Sequence, residues 1–152
     1  MDDATICFPR RGDEVLLIDK KRGLGDGLYN GPGGTIEAGE TPVECAIRET
    51  REEVGLRVDD PEHVGAFVFA LGEEERRCHV FVADSFARTP TETAEARPEW
   101  HPIDDLPVDR MWEADRLWVP RVLAGETVAG RIAYDADGDE LLAVDLEWGE
   151  EA

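Results

Sequence analysis

At 152 residues with 41% hydrophobic content, the chain is long enough for one domain with a real core, and a single domain over 1–152 is expected. Sixteen basic against 36 acidic residues give a formal net charge of -20, which argues against nonspecific binding to nucleic acid backbones. No apolar run is long enough to span a membrane and no charged-then-apolar leader opens the chain, so a cytoplasmic protein without a membrane partner is expected.

Ala4 to Phe8 and Glu14 to Asp19 are short β-rich runs that predict neighbouring strands, with Pro9 to Asp13 as the turn between them. Lys20-Lys21-Arg22 then meets Gly23-Leu-Gly25-Asp-Gly27. This basic-then-glycine loop either makes only a turn or brings positive charge to a phosphorylated ligand. Leu28 to Gly34 follows, with glycines that let a backbone carbonyl approach a ligand closely. Asn30, within it, either closes a turn or reads a hydrogen-bonding edge.

The best specified element comes next. Thr41 is a good N-cap, Pro42 suits the first helical position, Glu44 completes a capping box and Gly55 supplies a left-handed cap. These predict a helix from Pro42 to Val54. Val43, Ala46, Ile47, Thr50 and Val54 share the side that packs on a sheet. Glu49, Glu52 and Glu53 crowd within about 100° of arc on another side, with Arg48 at its edge. Three carboxylates so close repel one another. A divalent cation resolves that conflict, and Mg²⁺ favours oxygen ligands and phosphate substrates. Taken alone, the same residues also read as a solvated acidic face.

Downstream, His63 to Leu71 predicts a strand with Phe67, Phe69 and Leu71 on one face, and a charged connection from Gly72 to Arg77 leads to a strand at Cys78 to Ala83. Thr89 to Arg97, bracketed by prolines, predicts a mobile loop that contains Glu95. Glu99 to Ile103 is a short strand before a turn at Asp104 to Pro107. Met111 to Leu123 predicts a second helix, kinked or ended by Pro120. In it, Trp118 is a core anchor, whereas Trp112 is either core or a stacking platform. Glu126 to Tyr134 and Glu140 to Glu147 form a closing hairpin around an aspartate-rich turn. Cys7, Cys45 and Cys78 read as reduced core thiols, and the three histidines form no ligand pattern.

The fixed spacings from Gly34 through Glu40, Arg48-Glu49, Thr50 and Glu52-Glu53 to Gly55-Leu56 resemble the Nudix box, with Thr50 where an aliphatic residue is usual. The chain is identified as a member of the Nudix hydrolase family. Lys20 to Gly25, Tyr29-Asn30-Gly31, Glu95 to Pro98 and Met111 to Pro120 further resemble its MutT-like, oxidised-purine nucleoside triphosphatase subgroup.

That resemblance implies an α/β/α sandwich with a mixed β-sheet between helices. It implies Mg²⁺, or Mn²⁺ in its place, on Glu49, Glu52, Glu53 and the carbonyl of Gly33. Arg48 would orient Glu52, Glu53 would activate water with help from Glu95, and Glu40 would support the box from its own loop. Asn30, Trp112 and Asp115 would read the base, with Lys20 at the pocket mouth and Phe69 lining it. The reaction implied is cleavage of a nucleoside triphosphate, such as 8-oxo-dGTP, to monophosphate and pyrophosphate by a monomer or homodimer.

One departure matters: the subgroup carries two adjacent acids where this chain has Ala114-Asp115, which weakens the choice of 8-oxo-dGTP. Other Nudix diphosphatases are the nearest alternative, and a non-catalytic nucleotide sensor is a further one. Only two lysines occur against 14 arginines, and with the spread-out acidity this suggests adaptation to high salt.

Overall fold

The computed structural model describes residues 2–21 and 26–150; Arg22 to Gly25 of the basic-then-glycine loop lie outside them. The chain runs β1 (Asp2–Arg11), β2 (Glu14–Lys20), β3 (Tyr29–Asn30), β4 (Gly33–Thr35), α1 (Pro42–Val54), β5 (Arg57–Asp59), β6 (Glu62–Leu71) and β7 (Glu74–Ala83). It continues through β8 (Ser85–Ala87), β9 (Ala96–Pro102), a 3₁₀ turn (Val108–Arg110), α2 (Asp115–Leu123), β10 (Glu126–Tyr134) and β11 (Leu141–Glu150).

The main sheet has the order β11-β10-β6-β7-β1-β2-β3, with β4 also on β1 and β9 also on β2. It is mixed, because β1 lies parallel to β7 and β6 parallel to β10 while the other pairs are antiparallel. Strands β5 and β8 form a separate two-stranded sheet.

Strand periodicity divides the core in two. On one side Cys7, Leu16 and Ile18 pack with Ala46 and Val54 of α1. On the other, Phe8, Val15 and Leu17 pack with Trp118, Val119 and Val122 of α2. Successive residues thus serve opposite layers, which is the expected α/β/α sandwich. All three cysteines are free and buried.

Helix α1 has the predicted bounds and both ends are capped as expected. Thr41 Oγ1 accepts from the Glu44 N–H, Glu44 returns the bond to the Thr41 N–H, and Gly55 takes φ 74°. One side chain departs from prediction. Val43 in the first turn is 37% exposed and outside the core cluster, while Ile47 and Val54 pack as expected.

Several boundaries differ from the sequence reading. Strand β1 runs on through Pro9 to Arg11, so the first hairpin turns at Gly12-Asp13 alone. The charged run Glu74 to Arg77 belongs to β7, where it pairs with β6. Helix α2 starts at Asp115, so Trp112 precedes it, and Pro120 lies inside it without ending it. Four buried side chains, Trp118, Val119, Val122 and Leu123, hold that helix to the sheet and outweigh one lost backbone bond.

The segment expected to be mobile is tied to the end of α1. Thr91 donates its N–H to the Val54 carbonyl at 2.7 Å, Thr93 Oγ1 donates to the Glu53 carbonyl at 2.6 Å, and Ala96 and Arg97 already lie in β9. Its partners are the orphan carbonyls of a helix C-terminus.

Replacing Thr41 with Ala removes the side-chain half of the capping box. Chemical denaturation should show a loss of about 1 kcal/mol with an unchanged m-value.

Candidate active site

Arg48 sits at the centre of the α1 carboxylates. Its Nε and Nη2 donate to the two carboxylate oxygens of Glu40 at 2.7 and 2.9 Å. Nη1 donates to Glu49 at 2.6 Å and to Glu52 at 3.2 Å, and Nη2 also reaches the Thr35 carbonyl at 3.2 Å. Glu40 therefore supports the box from its loop as expected, and this bidentate pairing holds its carboxyl down to about 2. Arg48 orients Glu52, but it grips Glu40 and Glu49 more closely.

Glycines let the β4 segment press against this helix. A Cβ on Gly33 would collide with the Thr5 carbonyl oxygen, and one on Gly34 with the Glu49 carboxylate. With that room, the Gly33 N–H donates to Glu53 Oε1 at 2.8 Å. The contact seen from Gly33 to the acids is thus through its N–H.

Glu53 is 8% exposed. Burial pushes its carboxyl up to about 7 against the pull of the Gly33 N–H, and the charges of Glu49 and Glu95 push the same way while Lys20 opposes them. Burial also raises Glu49, against the pull of Arg48. Glu52 points outward, with 54% of its side chain exposed. Among the described residues, no three acids, histidines or cysteines gather tightly enough to enclose a metal ion. The donor set still fits a hard divalent cation in kind, being carboxylates and backbone oxygen with mutually unfavourable charge at Glu49 and Glu53.

From Gly33 and Glu53 a cleft runs across the sheet, past Asn30 and Lys20, to Phe69, Trp112 and Asp115. The structure therefore brings the three predicted base-reading residues, Asn30, Trp112 and Asp115, to one cavity with Lys20, Phe69 and Glu53. Asn30 Oδ1 accepts from the Gly31 N–H at 2.8 Å, which leaves its amide group to face a ligand. Trp112 meets Phe69 edge-on at 5.6 Å and Tyr134 at 5.0 Å, so it is both packed and at the cavity wall.

Asp115 is held by Trp118, whose Nε1–H donates to Oδ1 at 3.0 Å. Its Oδ2 is buried with no hydrogen-bond partner. Burial pushes this carboxyl up to about 7, against the pull of Trp118. Trp118 is thus the predicted core anchor, with Phe67 at 5.0 Å, and a positioning residue that the sequence did not reveal. Ala114, where the second acid is missing, is buried and donates its N–H to the Tyr134 hydroxyl at 2.9 Å. Glu95 lies beside the site through its influence on Glu53.

Residues missed by sequence reasoning include Ile6 and Arg76 on the cavity wall and Arg110, which covers the Tyr29 ring at 4.6 Å and donates to the Gly27 carbonyl. Strand alternation could have placed Ile6 and Arg76 on the right face, but only the register makes them neighbours.

A NUDIX domain model matches residues 2–122. The oxidized purine nucleoside triphosphate hydrolase of Mus musculus is 38% identical over 144 residues, covering 93% of this chain and 92% of that protein. Its counterpart from Danio rerio is 43% identical, covering 86% and 85%. The crystal structure of the mutator MutT protein from Bacillus halodurans superposes with a TM-score of 0.84 at 28% identity, over 97% of both chains.

Asp115 also links stability to pH. A carboxyl raised from 3.8 to about 7 on folding binds more protons in the native state, so its contribution is present below about pH 4 and lost as pH rises to about 7. Asp115→Asn keeps an oxygen for Trp118 without the buried charge. Urea midpoints should show the variant gaining on the parent protein as pH rises from about 4 to about 8.

Proposed function

The chain belongs to the NUDIX family, and on that premise we propose that it hydrolyses a nucleoside triphosphate to monophosphate and pyrophosphate, with oxidised purine nucleotides such as 8-oxo-dGTP as substrates. The observation that carries this reading is the single cleft that joins Glu53 and Gly33 to Asn30, Trp112 and Asp115. Acidic chemistry for a polyphosphate stands at one end and a flat, aromatic, hydrogen-bonding pocket at the other.

In this proposal Glu49, Glu52 and Glu53, with the Gly33 carbonyl, hold Mg²⁺ or Mn²⁺. When bound, that ion neutralises charge on the phosphates and favours a hydroxide-like nucleophile. Arg48, anchored by Glu40, fixes where Glu49 and Glu52 lie. Glu53 has Oε1 held by the Gly33 N–H, and Oε2 takes the proton from the attacking water. Glu95 assists from the segment pinned beside it, and Lys20 offers positive charge at the mouth.

The base packs against Trp112 and Phe69 where these edge-on rings line the cleft and supply aromatic contact area. Asn30 donates from its amide. Asp115 accepts when ionised and donates when protonated, which suits it to more than one purine edge. With Ala114 in place of a second acid, Asp115 carries this part of recognition alone.

The nucleotide is the partner in this reading, and the charge of -20 disfavours nucleic acid. Buried free thiols accord with a cytoplasmic setting, and the acidic, lysine-poor composition with adaptation to salt. Full folding and activity in dilute buffer would contradict the salt assignment.

Glu53→Gln should lower kcat for pyrophosphate release about 100-fold or more, with little change in KM. Undiminished turnover would remove Glu53 from the mechanism. Trp112→Ala should instead raise KM and flatten the preference among bases; an unchanged preference would contradict stacking.

A further inference from the structure

Away from Glu53, the side-chain hydrogen-bonding groups on the cavity lining are mostly donors. Asn30 has its carbonyl end occupied by the Gly31 N–H and shows its amide group, and Lys20 brings an ammonium. The buried acceptor is Asp115 Oδ2, while Ala114 beside it contributes no polar side-chain atom.

Arg76 adds to the donor side. On β7 it shares a face with Cys78 and Val80, both in the core beneath α2, so period-two alternation directs it to the cavity side of the sheet. Its cross-strand partners are Phe69 on β6 and Asp2 on β1, and it lines the cavity together with Phe69, Trp112 and Asp115. It is exposed, and its guanidinium makes no hydrogen bond or ion pair with a described residue. A planar fork of donors thus stands unengaged on the lining of the cavity that also holds the acceptor Asp115.

Building on the purine-triphosphate reading of this site, we propose that Arg76 is a specificity-determining residue that donates to the 6-carbonyl of a bound purine. A 6-oxo purine offers a carbonyl to Arg76 and ring and exocyclic N–H groups to Asp115. A 6-amino purine turns an N–H₂ group toward the guanidinium and leaves its donors unmatched. Arginine discriminates guanine from adenine in the same way on nucleic acid edges, through charge-assisted bonds to oxygen. The pocket therefore selects guanine-type over adenine-type nucleotides, with Arg76 supplying the donor and Asp115 the acceptor.

The test compares kcat/KM for 8-oxo-dGTP and 8-oxo-dATP in the parent protein, Arg76→Met and Arg76→Lys, with melting curves to establish that each variant is folded. The two substrates carry the same triphosphate, so a general charge effect of Arg76 cancels in their ratio. Arg76→Met should lower the 6-oxo to 6-amino ratio about tenfold, and Arg76→Lys should restore part of it. If both substrates lose activity equally and the ratio stays fixed, Arg76 serves only the phosphates and the proposal is overturned while the enzyme reading stands. If the parent protein hydrolyses neither substrate, the purine-triphosphatase reading itself falls, and the Arg76 assignment with it.

Discussion

The Arg48 guanidinium is the interaction on which the site depends. A single side chain, itself mostly buried, spans three carboxylates and a backbone carbonyl and so joins the β4–α1 loop to the acidic face of the helix. Without it, Glu40 on the loop and Glu49 and Glu52 on the helix would face one another as like charges. Arginine suits this place better than lysine because its planar fork reaches both oxygens of Glu40 and still has donors for Glu49. The cost of keeping acids near one another is then met inside the protein until a cation and a phosphate arrive.

The second half of the site obeys a different constraint. Asp115 is a buried carboxyl, and the fold keeps it in place with one indole N–H from Trp118, leaving the other oxygen unpaired. Trp118 belongs to the apolar core beneath α2, so in the proposed reading base recognition is anchored to packing and the phosphate end to electrostatics. The two ends meet because α1 and α2 cover opposite faces of one sheet, and Gly33 and Glu53 reach the cleft where β1 pairs with β4 over Ala4 to Ile6 and with β2 only at Arg10 and Arg11.

Helix α1 was legible in the sequence because its determinants are local: Thr41, Glu44 and Gly55 act within a turn of the residues they cap. The acidic face was legible for the same reason. The start of α2 was not, because Met111 to Ala114 have helix-compatible side chains, and what holds them otherwise comes from far along the chain: Trp112 packs on Phe69 and Tyr134, and the Ala114 N–H donates to the Tyr134 hydroxyl. Thr89 to Arg97 looked mobile because its restraint comes from the end of α1, which leaves no local signature. Arg76 escaped notice because its neighbours Phe69 and Asp2 are fixed by register between strands far apart in sequence. Family resemblance found residues within the stretches that carry it, and Arg76 lies outside those stretches.

The central claim is that the base held by the Trp112 and Asp115 pocket governs hydrolysis by the acids of α1. The most direct measurement is steady-state pyrophosphate release from 8-oxo-dGTP beside dGTP, with Mg²⁺ in molar KCl. The account predicts a strong preference in kcat/KM for the oxidised nucleotide, with Asn30 and Asp115 sufficing without a second acid. Equal turnover of the two nucleotides, or none of either, would contradict it.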